Sequence, residues 1–167
     1  ISSGLFGDGA GALVMSGAQA GGGGPQVIAS RSIFYPNTER TMGWDFVEGG
    51  FKVVLAANVP ELVSTHLRGD VDGFLGAQGL DRSQVRHWIA HTGGPKVLEA
   101  FERALELPKD ALARSWKSLR EVGNLSSASV LHVLSELLES GEGRPGDFGL
   151  MMAMGPGFCA ELVLLQW

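Results

Sequence analysis

The chain has 167 residues, of which 44% are hydrophobic and 19% are charged. This composition predicts one domain with a substantial buried core and excludes a disordered chain. The formal net charge of −5 argues against a nucleic-acid binder, which needs a basic face. No apolar run is long enough to cross a bilayer, and no secretory leader is visible. Because Cys159 is the single cysteine, no internal disulfide can form, and we expect a cytoplasmic protein.

The first part of the chain is interpreted as two strands joined by a glycine-rich loop. Residues 5–16, LFGDGAGALVMS, combine small and apolar residues without helical spacing, which indicates a buried strand. Four successive glycines in the segment 18–26 cannot hold a regular element together and predict a loop. Residues 27–35 are the second strand, and residues 36–45 are expected to be irregular.

A helical pattern follows. Apolar residues recur at spacings of three and four from Phe51 to Leu67, which predicts a helix. Pro60 interrupts the pattern and is expected to begin a new helical turn, because proline lacks the amide hydrogen. A further short helix over residues 70–80 would end at Gly79.

The remaining chain alternates strands and helices and finishes with two strands. The predicted elements are a strand at 85–91, helices at 95–107, 107–123 and 124–141, and strands at 148–155 and 160–167. This order predicts an α/β fold in which helices cover both faces of a sheet.

His91 lies at the end of a predicted strand and before a Gly-Gly-Pro turn. Side chains converge at the carboxyl edge of an open sheet, and Gly93 and Gly94 allow close backbone approach by a ligand. His91 is therefore a candidate catalytic residue. The alternative is a satisfied core histidine before a turn.

Asn124 begins the segment NLSSAS, where a helix is expected to start. The ordinary interpretation is an N-cap, with Ser127 at the third helical position. The alternative is that its side-chain amide points at a developing negative charge. One amide donor and one imidazole donor are enough to build an oxyanion hole, worth roughly 3–4 kcal/mol per donor.

Three other chemistries are not predicted. Cys159 lies one position into a strongly apolar strand, where burial would raise its pKa and make it a small hydrophobe instead of a nucleophile. The segment FGDGAG (6–11) precedes a strand instead of a helix, so it is not a dinucleotide fingerprint. No cysteines or histidines have metal-ligand spacing, and no metal is expected.

Four segments carry a family resemblance in combination. They are LFGDGAGALV (5–14), WIAHTGGPKVLEA (88–100), VGNLSSASVLHVL (122–134) and MAMGPGF (152–158), in this order. Together they resemble the C-terminal half of the chalcone synthase-like, or type III, polyketide synthases, and the resemblance covers essentially the whole chain. The sequence around MGWDF and MAMGPGFCAELVLLQW most resembles bacterial members that make alkylpyrones or alkylresorcinols.

The resemblance implies the C-terminal half of a thiolase fold over residues 1–167, with a mixed five-stranded sheet covered by helices. It also implies that the first half, which carries the catalytic cysteine, is absent from this chain. In the family that cysteine takes an acyl group from coenzyme A. His91 and Asn124 match a histidine and an asparagine that bind the thioester carbonyl and stabilise the enolate formed when malonyl-CoA loses carbon dioxide. The imidazole would also hold the cysteine as a thiolate.

The resemblance further implies residues that line the substrate cavity and the coenzyme A tunnel. Phe6 matches a phenylalanine at the passage between the two, and Val53 stands where a second gating phenylalanine is usual. The implied substrate-binding residues are Phe6, Val53, Ser126, Met154, Gly155, Pro156 and Gly157, and the implied coenzyme A-binding residues are Gly93, Gly94 and Lys96.

The implied substrates are malonyl-CoA and an acyl-CoA starter, which we expect to be fatty, and no bound cofactor is expected. The implied partners are the missing first half and a second copy in a homodimer. Two alternatives stay open. One is a ketoacyl-ACP synthase, which the GNLSSAS segment also resembles, and the other is a non-catalytic half that only binds or scaffolds.

Overall fold

The structure is a computed structural model that describes residues 2–167, except for the side chains of Ser2, Ser3 and Ala18. Its elements are α1 (Ser2–Leu5), β1 (Gln26–Phe34), β2 (Met42–Val47), β3 (Gly50–Leu55), α2 (Val59–Gly76), β4 (Val85–Ala90), α3 (Pro95–Leu105), α4 (Ala113–Val122), α5 (Ala128–Ser140), β5 (Phe148–Gly155) and β6 (Cys159–Gln166), with short 3-10 helices at Ala18–Ala20 and Arg82–Gln84.

Four strands form a mixed sheet in the order β1-β6-β5-β4. Strands β4 and β5 run parallel, whereas β6 is antiparallel to both of its neighbours. The short loop between β5 and β6 forces the antiparallel pairing, and the long helical connection between β4 and β5 permits the parallel one. The predicted α/β class with a mixed sheet is confirmed.

Helices cover both faces of this sheet, as predicted. Successive residues of β5 point to opposite faces, so Leu150 and Met152 join the larger core and Met151 packs against the smaller one. Helices α2 and α3 supply apolar side chains to the larger core, and α5 supplies Val133 and Leu137 to the smaller core. The strands β4 and β5 are therefore buried between two layers, which explains their near-continuous apolar sequence.

The sheet has four strands instead of the five expected, because residues 5–16 do not form a strand. Phe6 makes a single parallel bridge to Asn124, and the following residues carry no regular structure and are exposed, with Val14 at 96%. A strand needs a ladder of backbone partners, and its small residues offer little apolar area to bury. Within the described residues, the segment 5–16 makes one bridge, between Phe6 and Asn124, and no ladder.

A hairpin replaces the irregular segment and the first helical turns expected over 36–58. Strands β2 and β3 pair antiparallel from Met42 opposite Leu55 to Val47 opposite Gly50, and Gly50 has a φ of 120° that favours glycine. Trp44 and Phe46 alternate with smaller or polar residues, which is the period of a strand. The helix predicted from the apolar spacing at Phe51 is therefore wrong for residues 51–55 and correct only from the start of α2. Pro60 lies in the first turn of α2, as expected.

The helical boundaries also differ from the predictions. One helix, α2, replaces the two expected over residues 51–80, and Gly79, with a φ of 72°, lies in the turn after it. Helix α4 begins at Ala113 instead of near Pro108, and α5 begins at Ala128 instead of Asn124. The second delay follows from Ser126, whose φ of 56° is left-handed and cannot belong to a right-handed helix.

Candidate active site

His91 extends β4 by one residue, since its backbone N–H donates to the carbonyl of Met152 at 2.8 Å. Because β4 and β5 are parallel, their carboxyl ends meet at the same edge of the sheet. His91 therefore shares this edge with residues Met154–Gly157, which comprise the last two residues of β5 and the start of the following turn and are called the Met154–Gly157 turn below. Gly94, with a φ of 141°, then turns the chain into α3.

Asn124 is held at this edge by backbone hydrogen bonds from the N-terminal segment. Its N–H donates to the carbonyl of Leu5 at 2.8 Å, and its carbonyl accepts from the N–H of Gly7 at 3.0 Å. The side chain is only 5% exposed. Its Nδ2 lies 3.5 Å from the carbonyl oxygen of Gly93, which places the carboxamide beside the turn that follows His91.

The orientation of the Asn124 carboxamide is fixed by its neighbours. Its Oδ1 accepts from the backbone N–H of Ser126 at 2.8 Å and lies 3.4 Å from the hydroxyl of Ser129. A backbone N–H can only donate, so the amide oxygen must face Ser126 and the amide nitrogen must face the turn. The N-cap interpretation is wrong, because the N-cap residue of α5 is Ser127 and no side chain caps this helix.

Three supporting residues escaped the sequence analysis. The fully buried hydroxyl of Ser129 accepts from the N–H of Leu125 at 2.8 Å, and Thr92 places its hydroxyl 3.4 Å from the carbonyl of Gly123. A Cβ at Gly7 would lie 2.2 Å from the carbonyl oxygen of Val122, so this close approach requires glycine. For Ser129 the sequence offers one signal, the run of small residues from Ser126 to Ser129, whereas Gly7 and Thr92 lie far from Asn124 in the sequence.

Burial controls the electrostatics of His91. The half-buried imidazole has its pKa lowered to about 4 because desolvation disfavours the charged form. The ring is therefore neutral near pH 7 and carries one N–H donor. Its Cδ2 lies 3.6 Å from the position that a Cβ on Gly93 would occupy, so the ring lies against the residue whose carbonyl contacts Asn124. Both predicted side chains therefore lie beside Gly93.

Several implied binding residues are neighbours of this pair. Phe6 is 40% exposed and bridges Asn124 directly, and Ser126 is exposed next to it in the same loop. Gly93 and Gly94 separate His91 from α3, and Lys96 is exposed in the first turn of that helix. Val53 is different, because it lies opposite Trp44 in a hairpin that does not pair with the four-stranded sheet.

Cys159 follows the turn at the end of β5. Burial raises the pKa of its thiol, as expected, although the side chain is half-buried instead of buried. Its Sγ lies 3.3 Å from the carbonyl oxygen of Pro156 and 3.9 Å from that of Gly155. The thiol therefore donates weakly within the turn and carries no thiolate character.

Two surface cavities in the described part of the chain are lined by neither His91 nor Asn124. One cavity, of about 490 Å³, lies by the start of β4, and the other, of about 710 Å³, lies between α4 and α5. Across residues 2–167, no three histidine, cysteine or acidic side chains are grouped to hold a metal ion. No helix in the described part of the chain combines the length and the apolar character needed to cross a bilayer.

Solved structures place this arrangement in the thiolase-type α/β class. The chain matches 1,3,6,8-tetrahydroxynaphthalene synthase from Streptomyces coelicolor A3(2), a bacterial type III polyketide synthase, with a TM-score of 0.83 and 33% identity over 88% of this chain and 42% of that one. It also matches a polyketide synthase, PKS-I, from the brown alga Ectocarpus siliculosus, with a TM-score of 0.79 and 28% identity over 85% of this chain and 39% of that one.

The sequence comparisons give the family. The family model described as "Chalcone and stilbene synthases, C-terminal domain" matches residues 26–167, and the chain belongs to this family. It is 51% identical to 1,3,6,8-tetrahydroxynaphthalene synthase from Streptomyces peucetius subsp. caesius over 100% of this chain and 45% of the relative, and 38% identical to 3,5-dihydroxyphenylacetyl-CoA synthase from Streptomyces toyocaensis over 98% of this chain and 44% of the relative. The chain therefore spans less than half the length of these curated relatives.

Proposed function

We propose that this chain is the second half of a type III polyketide synthase, which condenses malonyl-CoA with an acyl-CoA starter. The observation that carries the proposal is the fixed carboxamide of Asn124. Its nitrogen faces the same turn as the imidazole of His91, at the carboxyl edge of the sheet. Membership of the chalcone and stilbene synthase family supports the same reaction.

His91 and Asn124 would act as hydrogen-bond donors to one oxyanion. When malonyl-CoA loses carbon dioxide, the electron pair of the broken C–C bond moves onto the thioester oxygen as an enolate. A neutral imidazole N–H and the Nδ2 of Asn124 can both donate to that oxygen, and decarboxylation needs no separate base. The enolate carbon then attacks an acyl thioester on the cysteine of the first half, which leaves as a thiolate.

The first half would also change the protonation of His91. Burial alone keeps the imidazole neutral in this chain, since its pKa is about 4. A thiolate within hydrogen-bonding distance would favour the charged ring and raise that pKa. The proposed ion pair between imidazolium and thiolate therefore depends on both halves, and we propose that they form one enzyme that dimerises.

The shape of the substrate cavity would determine the product, and we propose two product classes. The local sequence resemblance favours a fatty acyl starter and an alkylpyrone or alkylresorcinol product. The relatives named as tetrahydroxynaphthalene synthases favour a naphthalene polyol instead. Product analysis with acyl-CoA starters of increasing length distinguishes the two classes.

The test of the reaction uses the complete protein that contains this chain. His91→Ala and Asn124→Ala are each expected to lower carbon dioxide release from malonyl-CoA by about 10²–10³-fold, the typical cost of one oxyanion donor. Ser127→Ala is the matched control, because Ser127 lies in the same loop, is exposed and makes no capping bond. Near-normal decarboxylation in either alanine variant would contradict the assigned roles.

The rival functions give different results in the same assay. A ketoacyl-ACP synthase would use acyl groups on the carrier protein and fail with acyl-CoA and malonyl-CoA alone. A non-catalytic half would release no carbon dioxide from either malonyl-CoA or a malonyl carrier protein. Activity that depends on the carrier protein, or no activity at all, would contradict the proposal.

A further inference from the structure

Two implied parts of the cavity wall come from distant places in the chain. The Met154–Gly157 turn ends β5, and Val53 lies in the β2–β3 hairpin. The hairpin shares no strand pairing with the sheet, so its position relative to the turn must be set by other contacts. Residues 35–41, which connect β1 to the hairpin, provide them.

The first contact fixes the residue that follows the turn. Phe158 is fully buried, and its backbone N–H donates to the hydroxyl of Thr38 at 2.9 Å. Its carbonyl accepts from the N–H of Tyr35 at 3.0 Å. The Thr38 hydroxyl donates in turn to the carbonyl of Tyr35, so its single hydrogen and one acceptor site are both used.

The second contact fixes the base of the hairpin. The carbonyl of Thr38 accepts from the N–H of Thr41 at 2.9 Å, and the carbonyl of Thr41 accepts from the N–H of Ala56 at 2.8 Å. Thr41 is buried at 6% exposure. Thr38 is therefore bonded through its side-chain hydroxyl to Phe158, which follows the turn, and through its backbone carbonyl to Thr41, which immediately precedes the hairpin.

The connector is anchored independently to α2. The Tyr35 hydroxyl donates to Asp70 at 2.6 Å, and burial followed by this hydrogen bond raises the pKa of the phenol far above its usual value. The phenol is therefore protonated near neutral pH and donates this hydrogen bond. This anchor does not involve the Thr38 hydroxyl, which makes it a useful comparison.

We propose that Thr38 is a positioning residue that sets the spacing between the Met154–Gly157 turn and the hairpin carrying Val53, and thereby the shape of the cavity in which the polyketide grows. The proposal rests on the proposed function, because the family resemblance that implies a polyketide synthase also implies that Val53 and Met154–Gly157 bind the substrate. Thr38 itself does not touch the reacting atoms. Its effect belongs to product distribution and not to decarboxylation.

The test compares three variants of the complete protein. Thr38→Val keeps the side-chain size but leaves the buried N–H of Phe158 without a partner, whereas Thr38→Ser keeps the hydroxyl. Tyr35→Phe removes the anchor to Asp70 but keeps both bonds of Thr38, so it controls for general destabilisation. If Thr38→Val yields no folded protein, Thr38→Ala replaces it with the same expectations.

Two readouts are measured below the unfolding transition of every variant. Thr38→Val is expected to raise amide hydrogen exchange about fivefold or more in peptides covering 154–160 and 50–58, the fold-change for one lost hydrogen bond of about 1 kcal/mol. It is also expected to shift the ratio of products with different numbers of extensions. Thr38→Ser should restore both values. Tyr35→Phe should leave the product ratio unchanged and should not raise hydrogen exchange selectively in these two peptides.

Three outcomes would contradict the positioning role of Thr38. An unchanged product ratio in Thr38→Val, or the same shift in Tyr35→Phe, would overturn the positioning role, as would exchange that rises uniformly over the whole chain. If the unmodified protein forms no condensation product, the proposed function fails. The exchange data then decide separately whether Thr38 couples the turn to the hairpin.

Discussion

At the scale of single residues, the site depends on a carboxamide that cannot rotate. The oxygen of Asn124 is bonded to the N–H of Ser126, and the hydroxyl of Ser129 lies beside it. The nitrogen is consequently presented to the His91 turn before any substrate arrives. Such preorganised donors stabilise a developing charge without reorganisation at the moment of reaction.

The buried imidazole gives a prediction for pH dependence. Because the pKa of His91 is about 4 in the folded chain and about 6.5 when unfolded, the unfolded state binds more protons between these values. The contribution of His91 is therefore complete above about pH 6.5 and falls by up to about 1.4 kcal/mol per pH unit as the pH drops toward 4. His91→Gln should remove this part of the slope.

Urea unfolding of residues 1–167 alone and of their His91→Gln variant, both without the first half, between about pH 4.5 and pH 7 measures this difference. The variant is expected to lose less stability than the unmodified protein as the pH falls. Parallel pH profiles would show that the ring is not desolvated in the folded state.

The residues that position Asn124 could not be predicted from the sequence. His91 and Asn124 are predicted as site residues because a motif and a family resemblance indicate them. The roles of Ser129, Thr92 and Gly7 arise only when segments far apart in the chain meet, and no local pattern encodes that meeting. A small residue in a sequence does not show which backbone approaches it.

At the scale of elements, the close approach between Gly7 and the end of α4 gives a second prediction. A Cβ at position 7 would lie 2.2 Å from the carbonyl oxygen of Val122, a backbone atom that cannot move alone. Gly7→Ala should therefore displace the segment that holds Asn124, destabilise the fold by more than about 1 kcal/mol and lower decarboxylation. Gly17→Ala is the control, since Gly17 has a φ of −63° and open space around its Cα. Equal behaviour of the two variants would contradict this account.

Strand β4 gives a third prediction, because α4 completes its outer edge. The buried Ser115 hydroxyl donates to the carbonyl of Ala90 at 2.8 Å and lies 3.3 Å from the N–H of the same residue. Ser115→Ala leaves both groups without this partner next to His91 and should cost about 1–3 kcal/mol of unfolding free energy. Ser135→Ala, on an exposed helical surface, should stay within about 0.5 kcal/mol. Denaturant unfolding measures both free energies. If Ser115→Ala loses as little unfolding free energy as Ser135→Ala, Ser115 does not stabilise the edge of β4.

The elements differ in how far the sequence predicts them. Strands β4, β5 and β6 and helix α3 are bounded by turns and have one clear apolar pattern, so their predicted positions agree with the structure. The hairpin was missed because Phe51, Val54 and Leu55 fit a helical spacing by chance while pairing across the hairpin sets their real period. Residues 5–16 have a strand-like composition, but pairing, and not composition, decides whether a strand forms.

At the scale of the whole molecule, exposed apolar side chains are concentrated on the β2–β3 hairpin. One face of the β2–β3 hairpin exposes Trp44, Phe46 and Phe51 at 57%, 81% and 70%. Monomeric domains rarely expose contiguous apolar surface of this kind.

In the proposed mechanism, two side chains from distant parts of the chain donate to one oxyanion. A double-mutant cycle on malonyl-CoA decarboxylation by the complete protein, with His91→Ala, Asn124→Ala and both together, tests it most directly. If the two donors act on the same oxygen, the double variant should lose little more than either single variant, with a coupling of at least about 1 kcal/mol. Fully multiplicative losses would show that His91 and Asn124 act independently and would contradict a shared site.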